Sequence, residues 1–186
     1  MTYINEFFSA VFFSIFSCFL LIILQLKYHF RLYEFFKHCV CMIMLIILLT
    51  VTLFPVPIGS DSIEMTPYYN AFNFIPFHTI YNDILDALHG TYQGLVLEVF
   101  GNILLFIMVS MVINWFLTSL TFKKSLIICL FLSIMIEAIQ GIIGLILNNF
   151  YRSVDIDDII LSTIGGIIGY YLYRIFSSSR KSKSNS

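Results

Sequence analysis

Apolar residues fall into five long runs in this chain: Phe7–Leu26, Cys39–Phe54, Leu95–Leu120, Leu126–Leu147 and Ile159–Phe176. Each reaches or approaches the roughly 20 residues that an α-helix needs to cross about 30 Å of hydrocarbon. The pattern predicts an all-α fold, an integral membrane bundle of five transmembrane helices. Pro55 and Pro57 suit the end of the second run, because proline cannot continue a helix's hydrogen bonding. The loop between the second and third runs carries a shorter signal. Phe77, Ile80, Tyr81, Ile84, Leu85 and Leu88 recur at helical spacing, opposite Asn82, Asp83, Asp86 and His89. This predicts a short amphipathic helix lying in the membrane interface with its polar face solvated. A metal site is not expected there, since His78 falls off the polar face and Asp83, Asp86 and His89 spread over two turns.

Composition agrees with a bilayer setting: 59% of the 186 residues are hydrophobic and 11% are charged. The position of the charges says more than their near-zero sum. Of ten basic residues, all but Arg152 lie in the first loop (Lys27, Arg31, Lys37), the third loop (Lys123, Lys124) or the C-terminal region (Arg174, Arg180, Lys181, Lys183). The positive-inside rule makes that side cytoplasmic, with the N-terminus and the loops 55–94 and 148–158 outside. Tyr28, Phe30, Tyr33, Phe35 and Phe36, with His29 and His38, fit an interfacial aromatic belt. Residues 1–38 then hold one membrane helix and a cytoplasmic loop, residues 39–176 a four-helix membrane domain, and residues 177–186 a disordered basic tail. The first run lacks a basic leader and a small-residue cleavage site, so it is expected to be a mature span. The four cysteines lie in or beside apolar runs and suggest neither a disulfide framework nor a zinc site. The short basic tail offers no footprint for nucleic acid.

Polar residues inside the apolar runs mark the candidate chemistry. Glu137 sits mid-way along the fourth run, where a charged group costs roughly 2.5 to 3.5 kcal/mol, less than the surrounding Leu, Ile and Phe residues return. Its carboxyl must nonetheless face protein or water. Ser133, Glu137, Gln140, Gly141, Gly144 and Asn148 advance by steps of one, three or four residues, which places them on one stripe of the helix. The fifth run shows the same feature through Arg152, Asp155, Asp158, Ser162, Gly165 or Gly166, Gly169 and Tyr173, with acidic residues suited to the start of a helix. Gly165 and Gly169 form a G-x-x-x-G pair, expected to admit close helix packing. In the third run, Gly94, Glu98, Gly101 and Asn102 continue the pattern. One outward-facing polar cleft is expected, lined by Asn102, Glu137, Gln140, Arg152, Asp155, Asp158 and Ser162. Arg152 is expected to form forked hydrogen bonds with Asp155 or Asp158 or to bind an anionic ligand.

These residues resemble the VanZ-like membrane proteins. The resemblance lies in Asn73 with Ile75–Phe77, Asn102 followed by ILLF, Glu137 and Gln140 in EAIQ, then Arg152, Asp155 and Asp158, and last GGIIGY from Gly165 to Tyr170. It covers about residues 39–176. Two departures stand out: Met108, Val109 and Ser110 replace the family's usual Pro-Leu-Gly, and Ser162 its usual asparagine. The resemblance implies a multi-pass protein of a bacterial plasma membrane, in a family whose founding member confers low-level teicoplanin resistance.

Three functional classes follow. The first is a resistance or envelope protein whose cleft holds membrane lipid, a lipid-linked cell-wall precursor or a lipoglycopeptide, with no cofactor. The second is a membrane-embedded enzyme acting on a lipid or precursor headgroup through Glu137, Asp155 and Asp158 as candidate catalytic groups. No HExxH helix, phosphate loop or nucleophile elbow supports that reading. The third is a small transporter with Glu137 relaying protons, although no inverted repeat is visible.

Overall fold

The computed structural model describes residues 2–4, 11, 14–16, 19–20, 23, 31–53, 56–58, 71–117, 120–147 and 152–184. The expected first span lies mostly outside them, as do Asn148 and most of the loop before residue 71. Those of its residues that are described, such as Val11, Ser14 to Phe16 and Ile23, are helical. The chain divides into two compact units, Met1–Glu64 and Met65–Ser186.

In the first unit, strand β1 (Thr2–Ile4) and helix α1 (Leu32–Leu53) are followed by strand β2 (Val56–Ile58), which pairs antiparallel with β1. Helix α1 begins earlier than the apolar run at Cys39. Lys37 and His38, expected in a loop, are helical. Two local contacts explain the extension: Lys37 Nζ lies 3.6 Å from Glu34 Oε2, and His38 Nδ1 lies 2.6 Å from the Glu34 carbonyl oxygen. Such neighbours, three and four residues apart, satisfy polar side chains without leaving the helix.

The second unit holds strand β3 (Phe72–Asn73), helix α2 (His78–Leu88), helix α3 (Leu95–Phe116), helix α4 (Phe122–Leu147), strand β4 (Val154–Asp155) and helix α5 (Ile156–Ser184). Helix α3 opens with a π-helical turn over Leu95–Phe100 before becoming α-helical at Gly101. Among the described residues, α1, α3, α4 and α5 as far as Ser178 are long and apolar enough to cross a membrane. The protein is a mostly helical, multi-pass membrane protein. Helix α5 continues to Ser184, into the segment expected to be a disordered tail.

Small residues set how closely the helices of this unit approach. A β-carbon on Gly165 would stand 2.4 Å from the Ile103 carbonyl oxygen, and one on Gly169 2.4 Å from that of Ile107, so the G-x-x-x-G face of α5 lies against the α3 backbone. Gly166 faces Cys129 of α4 in the same way. Around these contacts Leu105, Phe106, Val109, Cys129 and Leu161 are buried. Ile127, Phe131, Ile142 and Ile146 of α4 are exposed, as expected of side chains that meet lipid.

A second polar layer ties the three helices together. The Ser110 hydroxyl donates to the Gly166 carbonyl at 2.8 Å, and the Asn114 amide donates to the Ser110 carbonyl and the Ser125 hydroxyl, both at 2.7 Å. All three side chains are buried. Interhelical hydrogen bonds within membranes average about 0.6 kcal/mol and reach about 1.7. Asn114→Ala, which leaves Ser125 without this donor, is expected to lower stability by about 1 to 2 kcal/mol in reversible unfolding from mixed micelles.

Candidate functional site

The site begins with a parallel two-residue ladder that joins segments about eighty positions apart. Strands β3 and β4 pair with Phe72 beside Val154 and Asn73 beside Asp155, and the Val154 N–H donates to the Ala71 carbonyl at 2.8 Å. This register puts the Asn73 amide 3.0 Å from Asp155 Oδ1. The Thr79 hydroxyl donates to Asp155 Oδ2 at 2.5 Å, and the Asp157 N–H to Asp155 Oδ1 at 2.8 Å. Asp155 is a buried junction between three segments.

Asp157 holds the start of α2. Phe77, at the N-cap of that helix, has a left-handed backbone (φ 66°) and offers no side-chain cap. The Asp157 carboxylate takes over that role from the first turn of α5. It accepts the N–H groups of Phe77 at 2.5 Å, Thr79 at 2.9 Å and Ile80 at 3.2 Å. A helix N-terminus leaves such donors unpaired and attracts negative charge, so one carboxylate can stabilise the ends of two helices. Asp157 is fully buried.

The sequence-predicted carboxylates reach this junction from the two longer helices. Glu137 of α4 is 4% exposed, and its Oε2 accepts the Asp155 N–H at 2.9 Å. Asn102 of α3 donates to Asp158 Oδ1 at 2.6 Å. Ser133, Gln140, Gly141 and Gly144 are buried on the α4 face that carries Glu137, and Ser162 is buried on α5. The stripe read from the spacing along α4 therefore turns inward. Arg152 is exposed, just before β4, and its charge acts on Glu98, Glu137 and Asp158. The oxygens of Asp155 accept from Asn73, Thr79 and the Asp157 N–H.

Sequence reasoning missed two residues of this region. Asp157 falls between Asp155 and Asp158, outside the three- and four-residue spacing that marks them, so no pattern singles it out. Asp83 was assigned to a solvated polar face, but it is buried, with its Oδ1 over Gly94 at the start of α3. Burial, followed by repulsion from Asp86, Asp155 and Asp157, raises the Asp83 carboxyl above its ordinary value. The other residues of that polar face, Asn82, Asp86 and His89, are exposed as expected, and so are the apolar Tyr81, Ile84 and Leu88. The raised value sets the sign of a pH effect. The folded state holds the Asp83 proton more tightly than the unfolded chain, so stability falls as pH rises through and above the unfolded value of 3.8. Asp83→Asn is expected to remove that part of the slope and to unfold at an equal or higher temperature near neutral pH, in melts compared across pH.

Four long apolar helices among the described residues define a multi-pass α-helical membrane protein, whose second unit brings carboxylates, amides and hydroxyls from separate segments into contact. The family model described as VanZ/LLP1 matches residues 39–177, and the chain belongs to this family. Comparison with curated proteins and with solved structures found no match.

Proposed function

We propose that the protein is a cell-envelope membrane protein of the plasma membrane that modulates susceptibility to teicoplanin-type lipoglycopeptides. In this reading its polar cleft opens outward and holds a lipid-linked cell-wall precursor or the lipid-bearing drug. The observation that carries it is the meeting of Glu137, Asp155, Asp158 and Asn102 from different segments at one end of the bundle. Family membership supports it, as does the sorting of nine of ten basic residues into segments that the positive-inside rule assigns to the cytoplasm. Glu137 and Arg152 are the ligand-facing groups of the cleft, with Gln140 and Ser162 on its walls.

Expression in a susceptible host is expected to raise the inhibitory concentration of teicoplanin more than that of vancomycin, which lacks the lipid tail. Glu137→Ala and Arg152→Ala are expected to return the host to vector-only susceptibility at equal membrane abundance. A correctly inserted wild-type protein that leaves teicoplanin susceptibility unchanged refutes the reading.

A further inference from the structure

Six carboxylates, on Asp83, Glu98, Glu137, Asp155, Asp157 and Asp158, interact electrostatically at the site end of this unit, with the exposed Asp86 as a seventh acting on Asp83, and Arg152 acts on three of them. Four are held by donors from the protein: Glu137 by the Asp155 N–H, Asp155 by Asn73 and Thr79, Asp157 by the α2 backbone and Asp158 by Asn102. Asp83 and Glu98 differ. Asp83 is only 8% exposed, and its Oδ2 is buried with no hydrogen-bond partner. An unsatisfied buried carboxylate is costly and calls for a physical explanation.

The surroundings of Asp83 say where the missing partner would sit. A β-carbon on Gly94 would stand 2.2 Å from Asp83 Oδ1, so the carboxylate rests directly on α3. Gly94, Glu98 and Asn102 follow one another every four residues, and the charge of Asp83 acts on Glu98. Asp83 thus heads a polar stripe that passes through Glu98 to the Asn102–Asp158 pair. Glu98 itself is exposed, in the π-helical turn, a feature frequent at functional sites. Its neighbours Val96, Leu97 and Phe100 are exposed as well, at 54%, 62% and 52%, so an apolar surface flanks the carboxylate within a membrane span.

We propose that Asp83 and Glu98 form a subsite for the primary ammonium group of an amphiphile, such as an aminophospholipid, that enters along the first turns of α3. The excess of carboxylates selects a cation. Among the described residues, no three His, Cys, Asp or Glu side chains converge as metal ligands. An ammonium group carries three N–H donors and can bridge two separated carboxylates. The exposed Val96, Leu97 and Phe100 supply contacts for acyl chains. The inference deepens the envelope function proposed above by naming the ligand chemistry of the same cleft, and it rests on that reading for its physiological meaning.

The test is native mass spectrometry of the full chain in detergent, titrated separately with dioctanoyl-phosphatidylethanolamine, its N-trimethylated choline analogue and dioctanoyl-phosphatidylglycerol. Wild type is expected to retain the ethanolamine lipid about tenfold more than either control, the scale of one charge-assisted hydrogen bond. Asp83→Asn and Glu98→Gln are each expected to abolish that preference while leaving phosphatidylglycerol retention unchanged. The pH argument above expects the Asp83 variant to fold as well as wild type, so misfolding would not explain its loss. Equal retention of the three lipids by wild type, retention of the choline analogue equal to that of the ethanolamine lipid, or variants that keep the preference would each overturn the proposal. The same strains tested with teicoplanin separate the two claims. A protein that shifts susceptibility without preferring the amine refutes only the subsite, and one that prefers the amine without shifting susceptibility refutes only the resistance function.

Discussion

Asp157→Ala is expected to destabilise the second unit by about 3 to 5 kcal/mol, the range seen when one member of a buried charged network is removed. Three backbone N–H groups, those of Phe77, Thr79 and Ile80, lose their acceptor together. No side chain at the N-cap can replace it, because Phe77 occupies that position in a left-handed conformation. Such backbone strain costs on the order of 1 to 3 kcal/mol and persists only where the surroundings enforce it. Without Asp157, α2 should detach from the bundle before the apolar helices separate. Asp157→Asn keeps an acceptor oxygen but no charge, and should fall between alanine and wild type. Hydrogen exchange of the α2 amides, read beside global unfolding in mixed micelles, checks this. Unchanged exchange at Thr79 and Ile80 in the alanine variant would contradict the capping role.

Gly169→Val should be comparably severe. A β-carbon at this position would stand 2.4 Å from the Ile107 carbonyl oxygen and 2.8 Å from Ser110 Cβ, so α3 and α5 must move apart as rigid backbones. Overpacking of this kind typically costs 1 to 3 kcal/mol, and the separation also lengthens the hydrogen bond from Ser110 to the Gly166 carbonyl. Gly101→Ala provides the contrast, since the nearest atom to its β-carbon is the Val96 carbonyl oxygen at 3.8 Å. Alanine also favours the helix over glycine, by about 0.8 to 1.0 kcal/mol. Gly101→Ala should therefore be neutral or stabilising while Gly169→Val unfolds at markedly lower denaturant. Equal midpoints for the two variants would show that α3 and α5 do not pack through this glycine face.

The membrane class, the family resemblance over about residues 39–176 and the inward stripe of α4 were legible without coordinates. Their signals are local: run length against bilayer thickness, and three- and four-residue recurrence around Glu137. Helix ends were less legible. Helix α1 starts at Leu32 because Glu34 receives both Lys37 and His38, a local satisfaction that hydropathy does not count. The amphipathic pattern found α2 but assigned Asp83 to water. Periodicity tells which residues share a face and not what that face meets, and here Gly94 leaves room for a carboxylate.

The order of apolar and polar residues, taken alone, determined that the chain crosses a membrane in helices and that Glu137 must turn toward protein or water. Both follow from the cost of leaving polar groups in hydrocarbon, which acts on each helix separately. Only the tertiary structure decided that Asn73 lies beside Asp155, that Asp157 caps a helix some eighty residues away, and that Asp83 is buried against α3. Those contacts depend on the register of a two-residue ladder and on the space above one glycine, and neither leaves a periodic trace in the chain.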